Sequence, residues 1–93
     1  MDWNKPENKQ LIGALLALKT PEEARRFLRD LLTSGEIEEY ARRLQTAEML
    51  TNKVPYSSIK RATGFSSTTI ARVSRWLHHG MGGYRLVLKR LTR

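Results

Sequence analysis

Apolar residues along this chain recur at helical rather than strand spacing. The first block holds Leu11, Ile12, Ala14, Leu15, Leu16, Ala17 and Leu18. It predicts a helix from Pro6, a residue tolerated in a first turn, to about Lys19. This helix is apolar on most sides, so it needs more cover than one neighbour provides. Thr20-Pro21-Glu22-Glu23 then reads as a helix start, with Thr20 as the cap, Pro21 in first place and Glu23 completing a capping box. The second helix presents Ala24, Phe27, Leu28, Leu31 and Leu32 on one face. Thr33 and Glu36 repeat the capping-box spacing and open a third helix that runs to about Asn52. Its expected buried stripe is Ile37, Tyr40, Ala41, Leu44, Ala47 and Met49 or Leu50. Val54, placed before Pro55, is pushed out of the helical region and ends it.

The stretch from Tyr56 to Leu77 predicts two helices around a sharp corner. The first starts near Tyr56 and turns Ile59 and Ala62 inward. Gly64 can adopt positive φ without steric cost, which the corner requires. Phe65 can plug the gap between the helices, and Ser66 or Ser67 is a natural N-cap. In the second helix, placed at 67–79, Ile70, Val73 and Leu77 face the first, while Thr68, Thr69, Arg72 and Arg75 lie opposite. A plain helical hairpin in a core shares the apolar spacing. The glycine corner, together with a basic, hydroxyl-rich second helix, points instead to a helix-turn-helix whose second helix enters the DNA major groove. A glycine-rich break at His78–Gly83 precedes a last short helix, Tyr84–Leu91, with Leu86, Val87, Leu88 and Leu91 apolar. The expected fold is all-α, with about six helices in a single domain covering 1–93.

Charge sharpens this reading. Through Ile59 there are nine basic and nine acidic residues, so that part is neutral. From Lys60 onward come eight basic residues and no acid: Lys60, Arg61, Arg72, Arg75, Arg85, Lys89, Arg90 and Arg93. The whole formal charge of +8 therefore lies on the helix-turn-helix and the segment after it, the footprint of a polyanion site. Hydroxyls and free N–H groups of Ser66, Ser67, Thr68 and Thr69 suit phosphate oxygens, and threonine methyls can touch thymine. Lys60, Arg61, Arg72 and Arg75 supply charge, with either phosphate or guanine as target. Ser57 and Ser58, at the start of the preceding helix, complete the candidate DNA-binding set.

Other chemistries find little support. With no cysteine, neither a disulfide nor a thiolate metal site is available, which fits a reducing cytoplasm. His78 and His79 are adjacent, so on a helix they point about 100° apart and cannot chelate one metal together. They suit a cap at the C-terminus of a helix, where positive charge is favoured. No phosphate loop, nucleophile elbow or catalytic constellation is present, so neither an enzyme nor a cofactor is expected. The Leu11–Leu18 run is too short to span a membrane, and neither its acid-bearing N-terminal flank nor the Lys-Thr-Pro that follows suits a signal peptide. Tyr84–Arg93 can be read as a membrane-surface helix, but its apolar residues suit packing better. A protein–protein adaptor that turns the basic surface on an acidic partner is the alternative to DNA binding.

Leu31-Leu32-Thr33, Arg42-Arg43, Ile59-Lys60, Gly64 and Thr69-Ile70-Ala71-Arg72 occur in an order that resembles the Trp repressor superfamily, particularly its Trp repressor-related YerC/YecD branch. The similarity spans roughly Thr20 to Leu91. It implies an intertwined two-fold homodimer in which the N-terminal helices share one core. It also implies a sequence-specific transcriptional regulator, a repressor, that reads double-stranded DNA at half-sites one helical turn apart. In the tryptophan-binding members an arginine of the long helix and one of the recognition helix flank the indole ring. Arg42 or Arg43, and Arg72, match those. A glycine and a serine of the ligand-binding pattern are here Val73 and Trp76. The effector pocket is thus expected around Arg42, Arg43, Arg72 and Trp76, with the Trp76 indole either in the ligand's space or facing the dimer core and leaving a differently shaped pocket. L-tryptophan is not expected to activate the protein, and any other effector is left open.

Overall fold

The computed structural model describes residues 1–92, and Arg93 of the basic set lies outside them. Six helices follow one another: α1 (Pro6–Ala17), α2 (Pro21–Leu31), α3 (Ser34–Thr51), α4 (Tyr56–Thr63), α5 (Ser67–His79) and α6 (Gly83–Leu91). Among the described residues there is no strand, and no helix is long and apolar enough to cross a membrane. The fold is all-α, as the spacing predicts. The chain forms two compact units, Met1–Ile37 and Glu38 onward.

In the first unit α1 ends at Ala17, two residues before the expected Lys19, because Leu18 already has extended backbone angles. Thr20, which precedes Pro21, is extended as well, at φ −136° and ψ 158°. Its Oγ1 accepts the Glu23 N–H at 3.1 Å. The Glu23 carboxylate reaches one residue past the cap and accepts from the Lys19 N–H at 3.1 Å. No residue of α1 or α2 is buried, and Leu16 is 81% exposed. Leu11, Ile12 and Leu15 are exposed too, at 41–45%, so much of the apolar surface of α1 is open.

The second unit holds the core. Ala47 of α3, Val73 of α5 and Leu88 of α6 form a buried cluster, with Leu44, Leu50 and Tyr84 packed against it. Ile59, Ile70 and Leu77 are buried as expected. The expected stripes differ at their edges. Tyr40, Ala41 and Ala62 are exposed, whereas Thr46 and Thr63 are fully or almost fully buried. Both threonines satisfy their hydroxyls within their own helices. Thr46 donates to the Arg42 carbonyl and Thr63 to the Ile59 carbonyl, each at 2.8 Å. Each then offers its methyl to apolar neighbours, so the inward pair of α4 is Ile59 with Thr63, one turn apart.

The end of α3 has a cause beyond Val54-Pro55. The Val54 N–H reaches back to the Met49 carbonyl and the Lys53 N–H to the Leu50 carbonyl, both at 3.0 Å. These are the two bonds of a Schellman termination, whose left-handed residue is usually glycine. Here Lys53 takes that position, at φ 62°.

Candidate nucleic-acid interface

The corner of the helix-turn-helix is built as the residues require. Gly64 has φ 76° and ψ 1°, and its N–H closes α4 on the Lys60 carbonyl at 2.8 Å. The next N–H, of Phe65, donates to Thr63 Oγ1 at 3.1 Å. Ser66, rather than Ser67, is the cap. Its Oγ accepts the Thr69 N–H at 3.2 Å, and the Ser66 and Thr69 hydroxyls also lie 3.2 Å apart. Ser67 and Thr68 stand exposed in the first turn of α5, and their hydroxyls have no intramolecular partner among the described residues.

Burial of Ile70, Val73 and Leu77 against α4 and α6 fixes which side of α5 faces out. Arg72 and Arg75 are exposed there. Lys60 and Arg61 are exposed on α4, where Arg61 donates to Ser58 Oγ at 3.3 Å. Ser57 is exposed and Ser58 half-buried. The ion pairs among the described residues are Arg25–Glu22 and Arg43–Glu39, so none of these four cations is neutralised by a neighbouring acid. Lys60, Arg61, Arg72, Arg75, Ser67 and Thr68 thus share one exposed, acid-free helix-turn-helix. An array of this kind is suited to phosphate oxygens and to base edges in a groove.

The expected effector residues are only partly brought together. A cavity of about 240 Å³ is lined by Glu39 and Arg43 of α3, Phe65 of the corner, Thr69, Arg72, Val73 and Trp76 of α5, and Tyr84 of α6. Arg43 is held by Glu39 at 3.1 Å and lies over the Tyr40 ring at 5.2 Å. Arg42 does not line the cavity. Its guanidinium stacks over the Phe65 ring, 5.5 Å from the centroid. Trp76 does not fill the space either: it forms part of the wall and is 63% exposed. It also lines an apolar groove of about 440 Å³ together with Leu44, Met81 and Val87. Glu39, Phe65, Thr69 and Tyr84 are lining residues that the resemblance does not imply. For Glu39 the signal was available, since it stands one turn before Arg43.

His78 and His79 lie in the last turn of α5 with ring centroids 6.4 Å apart. His78 Nδ1 accepts from Arg85 Nη2 at 3.2 Å, which ties the end of α5 to α6 and assigns His78 a partner other than the helix carbonyls. Among the described residues no group of three or more His, Cys, Asp or Glu side chains could hold a metal ion.

The family model described as Trp repressor protein matches residues 7–92. YerC of Bacillus subtilis strain 168 is 42% identical over 85 residues, covering 91% of this chain and 82% of that protein. The crystal structure of a TrpR like protein from Eubacterium eligens superposes with a TM-score of 0.92 at 38% identity, covering 97% of this chain and 93% of that one. A second crystal structure, of a Staphylococcus aureus protein, gives 0.89 at 35% identity, covering 99% and 95%.

Proposed function

The chain belongs to the Trp repressor family, and from that premise we propose that it is a sequence-specific DNA-binding transcriptional regulator, a repressor acting in the cytoplasm as a homodimer. One observation carries the reading: Lys60 and Arg61 of α4 and Arg72 and Arg75 of α5 are all exposed, with no acid from Lys60 onward. Ser67 and Thr68 open α5 beside them with unengaged hydroxyls. The recognition helix, α5, lies in the major groove with its first turns against base edges, while Lys60 and Arg61 hold the phosphate backbone. The protein acts by occupying its site rather than by catalysis.

Dimerisation is supported by α1, whose Leu11, Ile12, Leu15 and Leu16 are exposed in the single chain. An apolar face of this kind is stabilised by burial against a second copy. Two copies related by a two-fold axis present two recognition helices to a two-fold operator. A monomer mass by light scattering at micromolar concentration, with helicity intact, would sink the dimer.

Selection of bound duplexes from a random DNA pool tests the function. The expected product is a two-fold sequence enriched reproducibly by the intact protein. An unenriched pool, together with retention of an acidic protein surface, favours the adaptor reading.

A further inference from the structure

We propose that Arg42 and Phe65 form the contact that sets the position of the helix-turn-helix on α3, so that its DNA-reading pose is fixed from within the chain. The inference rests on the DNA-binding reading and assigns Arg42 a role different from the charged contacts of Arg72 and Arg75. In this unit the closest helix approaches are α4 with α5 and α5 with α6. The orientation of the corner on α3 therefore depends on side chains. Ala47 belongs to one buried cluster with Leu88 and with Val73, which lies well along α5. Nearer the corner, the Arg42 guanidinium lies 5.5 Å from the Phe65 ring centroid, within the range of a cation–π contact.

Both partners are fixed at their backbones. The Arg42 carbonyl accepts the Thr46 hydroxyl at 2.8 Å, and Thr46 is fully buried. The Phe65 N–H donates to Thr63 Oγ1 at 3.1 Å, and that hydroxyl in turn donates to the Ile59 carbonyl at 2.8 Å. Phe65 follows the Gly64 corner directly and precedes the Ser66 cap of α5. A ring held at this point transmits its position to the first turn of α5, where Ser67, Thr68 and Thr69 stand. Arg43, the neighbouring cation, is engaged by Glu39 on its own helix and does not share this role.

A double-mutant cycle tests the proposal in the full chain, using Arg42→Met, Phe65→Leu, the pair together, and Phe65→Tyr, which keeps a ring. DNA affinity is measured at several salt concentrations, and amide hydrogen exchange of α4 and α5 in the free protein. Each single variant is expected to weaken DNA binding about two- to fivefold, the size of an exposed cation–π contact. The double variant is expected to be no weaker than the worse single variant, and Phe65→Tyr to match the parent. Exchange in α4 and α5 should quicken in both single variants. Arg42→Met costing the same with Leu at position 65, with the salt slope falling by about one, would make Arg42 a phosphate contact and overturn the proposal. Unchanged exchange in both single variants would overturn it as well. If the parent binds no DNA, the functional reading fails, and the exchange cycle alone still decides whether Arg42 and Phe65 are coupled.

Discussion

Thr33 and Glu36 exchange two hydrogen bonds at the start of α3. The Glu36 N–H donates to Thr33 Oγ1 at 3.1 Å, and the Thr33 N–H donates to a Glu36 carboxylate oxygen at 3.0 Å. The backbone N–H first, and the Thr33 side chain second, hold the Glu36 carboxyl below its ordinary value. A carboxylate with a depressed folded pKa contributes stability that is fully present above its unfolded value. That contribution fades as pH falls through the folded pKa. Glu36→Gln should therefore lower the melting temperature slightly at neutral pH, and the gap to the parent should close in acid. Melting curves of both proteins across an acid series check this. A gap that widens as pH falls would contradict the capping account.

Lys53 occupies the left-handed position that ends α3, at φ 62°. A residue with a Cβ costs about 1–2 kcal/mol there relative to glycine, part of which is offset by glycine's freer unfolded chain. Lys53→Gly should stabilise the protein by about 0.5–1 kcal/mol in urea unfolding. A clear loss of stability would mean that the lysine side chain holds the turn.

At Gly80 the constraint is space rather than φ. A Cβ built there overlaps the Trp76 carbonyl and comes within 3.4 Å of the Trp76 ring. That carbonyl already accepts the Gly80 N–H at 2.9 Å as α5 ends. Gly80→Ala should force the junction between α5 and α6 apart, at a cost of about 1–3 kcal/mol. Tryptophan fluorescence, reporting in part on the 63% exposed Trp76, should shift in the folded state. An unchanged melt and spectrum would show that the junction yields freely.

Free L-tryptophan should leave DNA affinity unchanged. Arg43 and Arg72 do line one cavity, but Val73 adds a stiff β-branched side chain to its wall. Glu39 lines it as well and engages Arg43, so a ligand carboxylate meets a negative charge beside that arginine. Isothermal titration, with DNA binding measured with and without the amino acid, checks this. Saturable binding that tightens the DNA complex would falsify it.

The helices and the corner were legible because their signals are local. Gly64, the Thr20 and Thr33 caps and the 3.6-residue apolar spacing act within one or two turns, and each did what its chemistry requires. The face of α5 was legible too, since Ile70, Val73 and Leu77 leave one side for the cations. What escaped depends on distance in sequence. Thr46 and Thr63 are polar by type, and their burial follows from carbonyls one turn away that take up their hydroxyls. Tyr40 and Ala41 fit the α3 stripe by spacing but lie ahead of the turns that meet the core. Arg42 and Arg43 are equivalent as letters. The fold separates them, placing one over Phe65 and the other against Glu39. Trp76 lies on a helix face that leaves it at the rim in the single chain.

The most direct test of the central claim compares Arg75→Ala with Arg25→Ala in mobility-shift titrations on the selected duplex at several salt concentrations. Arg75 stands on the exposed face of α5, whereas Arg25 is paired with Glu22 at 3.0 Å on α2. Arg75→Ala should weaken binding roughly tenfold, within the range of a lost arginine contact to a base or phosphate. Lys60→Ala should weaken all sequences alike and lower the salt slope by about one unit. Arg25→Ala should bind as the parent does. Equal losses from Arg25→Ala and Arg75→Ala would contradict the assignment of α5 as the recognition helix.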